Sequence, residues 1–171
     1  MSAQNRFEQI ISAGWAGVLQ WKTDGESESS DLDFKVSDWQ GNKLGDEDKK
    51  SLGKGVSGLA NTDGGVLVFG VKTRKSLEVD RVDEIQQIRS LRLYIDKLNE
   101  YLRTCTEPTV AGTKAEGIFS PDAEDVGVAV VLIPASDAGP HRAKSAGDKW
   151  SDRYFMRAGT STVVIPHNTL R

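Results

Sequence analysis

The side chains best suited to chemistry in this sequence are cations, and they gather in two places. Lys72, Arg74 and Lys75 follow directly on the apolar run Val66-Leu67-Val68-Phe69-Gly70-Val71. A basic cluster at the end of a buried strand is placed to meet a phosphate backbone. The second place is the C-terminal fifth. From Pro140 onward, Arg142, Lys144, Lys149, Arg153, Arg157 and Arg171 stand against Asp148 and Asp152, so this stretch carries +4 in a chain whose net charge is −3. Such a stretch reads either as a phosphate-binding face or as a solvated surface strand. Lys35, next but one to Asp33, is either half of an ion pair, worth little if exposed, or another phosphate contact. Tyr154 and Phe155 lie among arginines and offer rings for stacking on a base, while their alternation suits core positions equally well. His141 has no nearby histidine partner; it reads as a structural residue, or as a group that titrates near neutral pH beside a phosphate.

Other chemistries lack their residues. No Gly-x-x-x-x-Gly-Lys-Ser/Thr occurs, and the run Gly53-Lys54-Gly55-Val56-Ser57-Gly58 has the wrong order for a phosphate loop. No Gly-x-Ser-x-Gly elbow is present, and the single cysteine, Cys105, can build neither an internal disulfide nor a thiolate metal site alone. No apolar stretch approaches the roughly 20 residues that span a bilayer. The start, MSAQNRFEQ, lacks the basic and apolar regions of a secretory signal, so a cytoplasmic location is expected and no membrane partner is. With 37% hydrophobic and 27% charged residues over 171 positions, one folded domain is expected. A sequence pI near 5.5 gives no global basic field, which keeps a protein-interaction module open as a further reading.

The elements that position these groups follow from periodicity. Phe7, Ile10, Ile11, Trp15 and Val18 share one face of a helix over residues 4–21. A polar loop, TDGESESSD, leads to a half-buried strand in which Leu32, Phe34 and Val36 alternate with Asp33 and Lys35. Asp46 is expected to cap a second helix whose apolar face is Leu52, Val56, Leu59 and Ala60; its glycines 53, 55 and 58 permit close packing. The turn Asn61-Thr62-Asp63-Gly64-Gly65 then reads as structural. The run 66–71 is a strand buried on both faces. Val82, Ile85, Ile88, Leu91, Ile95, Leu98 and Leu102 recur at threes and fours, which predicts a long helix over 81–104. Residues 109–119 are expected to hold one or two strands, Val126 to Ile133 another, and 153–157 and 163–165 two more. The result is an α/β fold with a mixed β-sheet flanked by helices, organised as an N-terminal helical segment over 1–24 packed as one unit with a domain over 25–171. Residues 167–171 end without a turn or tail signal, as at a boundary inside a longer protein.

Three stretches, taken together and in order, resemble the Schlafen AlbA_2-type (AlbA-like) domain family. They are Glu28-Ser-Ser-Asp-Leu-Asp33-Phe34-Lys35; then Gly58-Leu-Ala60-Asn61-Thr-Asp-Gly64-Gly65 running into VLVFGV; and Pro140-His141-Arg142-Ala-Lys144, followed by Arg153-Tyr-Phe-Met-Arg157-Ala-Gly159-Thr-Ser-Thr. The resemblance spans about residues 25–165 and implies an AlbA/Schlafen-like domain that binds DNA or structured RNA. Candidate contacts are Lys35, Lys72, Arg74, Lys75, Arg142, Lys144, Arg153 and Arg157. Some members of the family are metal-dependent endoribonucleases. In that case Glu28 and Asp33 would be catalytic and would hold Mg²⁺ or Mn²⁺, since hard cations prefer carboxylate oxygens; otherwise no cofactor is expected. The chain departs from the pattern twice: Asp33 stands where the family has Glu, and Lys72, Thr73 and Arg74 occupy the place of its third acid. Asp63, Asp80 or Asp83 are the candidate substitutes. The family's nucleases pair two such lobes, which implies a homodimer for a single lobe.

Overall fold

The computed structural model describes residues 1–144 and 152–170, with nothing said of the His167 side chain. Lys149, Asp148 and Arg171 of the basic tally lie outside the described residues. Helix α1 (Ala3–Asp24) is capped at Ser2, whose hydroxyl accepts from the Asn5 amide, and ends at Gly25 in the left-handed region. A kink at Gly14 lets its two halves follow the sheet beneath. Strand β1 (Leu32–Lys35) leads through a loop to α2 (Asp46–Ala60), then β2 (Gly65–Phe69), β3 (Val71–Ser76), β4 (Val79–Ile85) and the short β5 (Ile88–Arg89). After α3 (Leu91–Leu102) come β6 (Thr106–Glu107), β7 (Lys114–Phe119), β8 (Val126–Ile133), β9 (Arg142–Ala143), β10 (Arg153–Ala158) and β11 (Ser161–Val164).

The central sheet is mixed. β1 runs parallel to β2, β2 antiparallel to β8, and β8 is bordered by β7 and β5. Its two faces explain the unbroken apolar run of β2. Val66 and Val68 point with Leu32, Phe34, Val128 and Val130 toward α1, while Leu67 and Phe69 point with Ala129 and Val131 toward α2 and α3. The result is helix, sheet, helix in three layers. A second sheet, ordered β11-β10-β9-β6, packs against α2, and β3 with β4 forms a separate hairpin.

Glycines on α2 permit that packing. A Cβ at Gly55 would stand 2.7 Å from Leu67 Cδ1, and one at Gly58 would stand 2.8 Å from Thr162 Cγ2. α2 therefore lies against the central sheet and against the second sheet at once.

Three sequence expectations change. The helix over 81–104 is α3 alone; the residues before Leu91 belong to β4, the second strand of the hairpin, and to β5. The reason is a β-bulge. Lys72 pairs with Glu84 and Thr73 with Val82, so Asp83 is an extra residue. The bulge brings Val82 and Ile85, three apart, onto the same inward side, which imitates helical spacing. Second, Asp46 is not the cap of α2. Gly45 takes that position, and the Asp38 carboxylate caps from a distance by accepting from the amides of Glu47 and Asp48 at 3.0 and 3.2 Å. Third, β1 is not half-buried: Asp33, expected on its polar face, is buried like Leu32 and Phe34. No described helix is long and apolar enough to cross a membrane.

α1 packs over one face of the central sheet together with Val71 and Val82 of the hairpin, and Phe7 is a fully buried contact there. Phe7→Ala is expected to lower the unfolding free energy by about 3–5 kcal/mol, measured by urea denaturation followed by circular dichroism. An unchanged midpoint would mean that α1 is not packed as described.

Candidate functional site

A cleft of about 460 Å³ opens where β1, α2, the β3–β4 hairpin and the β10–β11 turn meet. Its floor is an ion pair that joins the two sheets. Arg157 on β10 donates from Nη1 to Asp33 Oδ2 on β1 at 3.2 Å and to Thr162 Oγ1 at 3.2 Å, and from Nη2 to the Ser29 carbonyl at 3.0 Å. The two side chains are 2% and 6% exposed. Lys35 Nζ reaches the same Asp33 oxygen at 3.5 Å. Asp33 thus meets two cations in a place where an unpaired carboxylate would be costly.

Glu28 is buried beside this pair and accepts from the Phe34 amide at 3.2 Å. Burial, then the neighbouring Asp33 carboxyl, pushes the Glu28 acid up to about 8, against the opposing pull of the Phe34 amide and Lys35. Near neutral pH this favours the protonated form of Glu28.

The wall contributed by α2 carries two lysines and one carboxylate, Glu47. Lys50 and Lys54, one turn apart, line the cleft with Ser51 between them. Burial, and then the ammonium groups of Lys50 and Lys35, pull the Lys54 amine below the ordinary lysine range. Lys54 also lies 5.6 Å from the centre of the Phe155 ring. Hydroxyls complete the rim: Thr73 from the hairpin and Thr160, Ser161 and Thr162 from the β10–β11 turn.

The structure treats the sequence candidates unequally. Glu28, Asp33, Lys35 and Arg157 meet in the cleft although Arg157 lies 124 residues from Asp33. Arg157, expected as an outward contact, is a correction: its guanidinium is spent on the floor of the site. On the hairpin, strand alternation puts Lys75 on the side of Thr73 and Asp80, and Lys72 and Arg74 on the other. Arg142, on the inner strand β9 of the second sheet, pairs with Glu107 and Asp152 and is absent from the cleft lining, with exposed Lys144 beside it and exposed Arg153 one strand over. Phe155 is core, and Tyr154 is half-buried. His141 is fully buried, its ring nitrogens 2.6 Å from the Pro108 carbonyl and 2.7 Å from Ser136 Oγ, so it holds chain segments together.

Sequence reading missed Lys50, Lys54 and the hydroxyl rim, although the spacing of the two lysines on one helical face was a usable signal. It also missed how the Asn61 turn acts. The Asn61 amide donates to the carbonyls of His141 and Phe155, both at 2.9 Å, and accepts from the His141 amide at 2.7 Å. Ser57 Oγ adds bonds to the His141 carbonyl and from the Phe155 amide. These side chains dock the end of α2 onto β9 and β10, and so set the position of Arg157 two residues on.

Of the substitutes for a third acid, Asp80 lines the same cleft. The donor set nevertheless does not fit a divalent cation. Asp33 is engaged by Arg157 and Lys35, and among the described residues no three acidic, histidine or cysteine side chains are grouped to hold a metal ion.

In fold, the chain is similar to the solution NMR structure of the N-terminal domain of a DNA helicase RecG-related protein from Nitrosomonas europaea. The likeness has 19% sequence identity and a TM-score of 0.52, and covers 98% of this chain and 96% of that one. No curated protein matches the sequence. The profile of the family described as Schlafen, AlbA_2 matches residues 28–166, from Glu28 of the cleft to just past β11, leaving α1 outside the match. The chain belongs to the Schlafen AlbA_2 family.

Proposed function

We propose that this chain binds nucleic acid by seating backbone phosphates in the cleft lined by Lys35, Lys50 and Lys54. The observation that carries this reading is that Lys35, Lys50 and Lys54 line one cleft; burial first, and then the neighbouring ammonium groups, depress the Lys54 amine there. Three like charges held together store electrostatic free energy that an anion between them relieves. Five hydroxyl side chains, Ser51, Thr73, Thr160, Ser161 and Thr162, supply donors for phosphate oxygens around the same opening. Family membership supports the reading, and so does a fold shared with a domain from a DNA helicase-related protein. Lys75 on the hairpin extends the positive surface from the cleft. Arg142, neutralised by two carboxylates, contributes little.

The protonated state of Glu28 belongs to the reading. While neutral, it lets the cations of the cleft dominate; once ionised, it places a negative charge beside the phosphate. In this reading Asp33 anchors Arg157 and Lys35, Glu28 accepts from the Phe34 amide, and no metal-assisted cleavage is assigned to the chain.

Three outcomes test the proposal. Lys50→Ala and Lys54→Ala should each weaken binding of a labelled oligonucleotide and lower the slope of log K against log salt by about one, in fluorescence anisotropy titrations. Arg142→Ala should leave that slope nearly unchanged. Wild-type slopes in both lysine variants would remove the cleft from the account. Second, affinity should fall as pH rises through about 8, and Glu28→Gln should abolish that fall. The stability sign agrees. The folded acid titrates near 8 and the unfolded one near its ordinary 4.5, so the unfolded chain loses its proton first as pH rises. Unfolding free energy should decline between those values, by on the order of a few kcal/mol, and Glu28→Gln should flatten the decline. Third, Mn²⁺ or Mg²⁺ at millimolar levels should leave the thermal midpoint unchanged; a rise that Glu28→Gln abolishes would restore a metal to the site.

A further inference from the structure

A second depression, of about 520 Å³, lies past the exit of β1 and has a different chemistry. Its lining includes Ser37, Trp39, Gln40, Gln86, Gln87 and Arg89. Three amides and an indole accompany one guanidinium, with no carboxylate in the lining. This is a surface for a flat, neutral, polar group.

The groove is built and held. Trp39 donates from Nε1 to the Arg89 carbonyl at 2.9 Å, which ties its two walls together. The indole leans on Tyr94, with ring centres 5.1 Å apart, and Tyr94 in turn donates to the buried Asp48 carboxylate at 2.9 Å. Asp48 also accepts from Ser37 Oγ and the Asp38 amide. The loop that carries Trp39 is thereby fixed to α2, the helix that bears the lysines. On the opposite wall, the Gln86 amide donates to the Gly70 carbonyl at the end of β2. The side-chain NH₂ groups of Gln40 and Gln87 are oriented by the Asp38 carbonyl and the Asp122 carboxylate, each at 3.2 Å.

The two depressions are neighbours. Lys35 lines the cleft and Ser37 the groove. Two residues of chain separate their Cα atoms by at most about 7 Å. A phosphate in the cleft therefore has its own or the adjacent base within reach of the groove.

From this geometry we infer that the groove is a nucleobase subsite: it takes an unpaired base, stacked on or edged against Trp39 and hydrogen-bonded by the glutamine amides, from the strand whose phosphate occupies the lysine cleft. The inference rests on the phosphate reading and adds the ligand class to it. Bases stacked inside a duplex present neither face nor pairing edge, so the ligand is single-stranded or carries an extruded nucleotide.

The test compares four probes by competition against a labelled single strand at low salt: the same strand unlabelled, its abasic counterpart, its blunt duplex and inorganic polyphosphate. The normal strand should bind roughly tenfold tighter than the abasic one, as expected for one base–aromatic stack, and tighter than the duplex. Trp39→Leu, and separately the double variant Gln86→Ala/Gln87→Ala, should erase the margin over the abasic strand and leave polyphosphate binding unchanged. If Trp39→Leu does not fold, the glutamine variant decides, because both side chains are exposed. Equal affinity for normal and abasic strands, with polyphosphate still bound and still sensitive to Lys54→Ala, would overturn the base subsite and keep the phosphate cleft. Loss of all binding, polyphosphate included, would overturn both.

Discussion

The cleft depends on one buried ion pair. Arg157 and Asp33 come from different sheets and meet at 3.2 Å with almost no exposure to water. Such a pair adds little to stability relative to a well-packed apolar contact, but losing one partner strands a charge and costs about 3–5 kcal/mol. Its value here is geometric. It fixes the β10–β11 turn, with its hydroxyls, opposite the lysines of α2, and it draws Lys35 inward onto the same carboxylate. The Asn61 and Ser57 hydrogen bonds support the pair from behind by docking α2 onto β10. Of the motif residues, Asp33, Asn61 and Arg157 do structural work, while Lys35, Thr160, Ser161 and Thr162 line the cleft beside Lys50, Ser51 and Lys54 of α2.

This arrangement explains how a chain of net charge −3 can present a site for an anion. Global charge matters less than which carboxylates face the site and in what state. Asp33 is paired with Arg157 and Lys35, and burial favours the neutral form of Glu28, which leaves Lys50 and Lys54 to set against Glu47 and Asp80 on the cleft walls. The same desolvation that raises Glu28 also makes a charge–charge contact inside the cleft stronger than one on open surface.

Much of the fold was legible in the sequence because burial leaves periodic traces. The double-faced β2, the alternating β10 and the apolar side of α2 were all readable from spacing. The hairpin was not, because one bulged residue, Asp83, converted an alternating pattern into a three-residue repeat. The site was legible in its parts and illegible in its pairings. Glu28, Asp33 and Lys35 stood out as a motif, but the sequence carries no sign that Arg157 would turn inward to meet Asp33, since ion pairing across 124 residues is a property of packing. Asp48 and Trp39 were silent for a similar reason. Asp48 reads as an ordinary first-turn acid, and only the structure shows it buried beneath Tyr94 and Ser37, steadying the loop of the second groove.

The central claim is that ligand sits between α2 and the β10–β11 turn and not on the basic edge formed by β9 and the start of β10. Amide chemical-shift mapping during titration with a short single-stranded oligonucleotide tests this directly. The account predicts the largest shifts at Lys35, Ser51, Lys54 and Thr160 to Thr162, continuing to Gln86 and Gln87. Shifts confined to Arg142, Lys144 and Arg153, with the cleft amides unmoved, would contradict it.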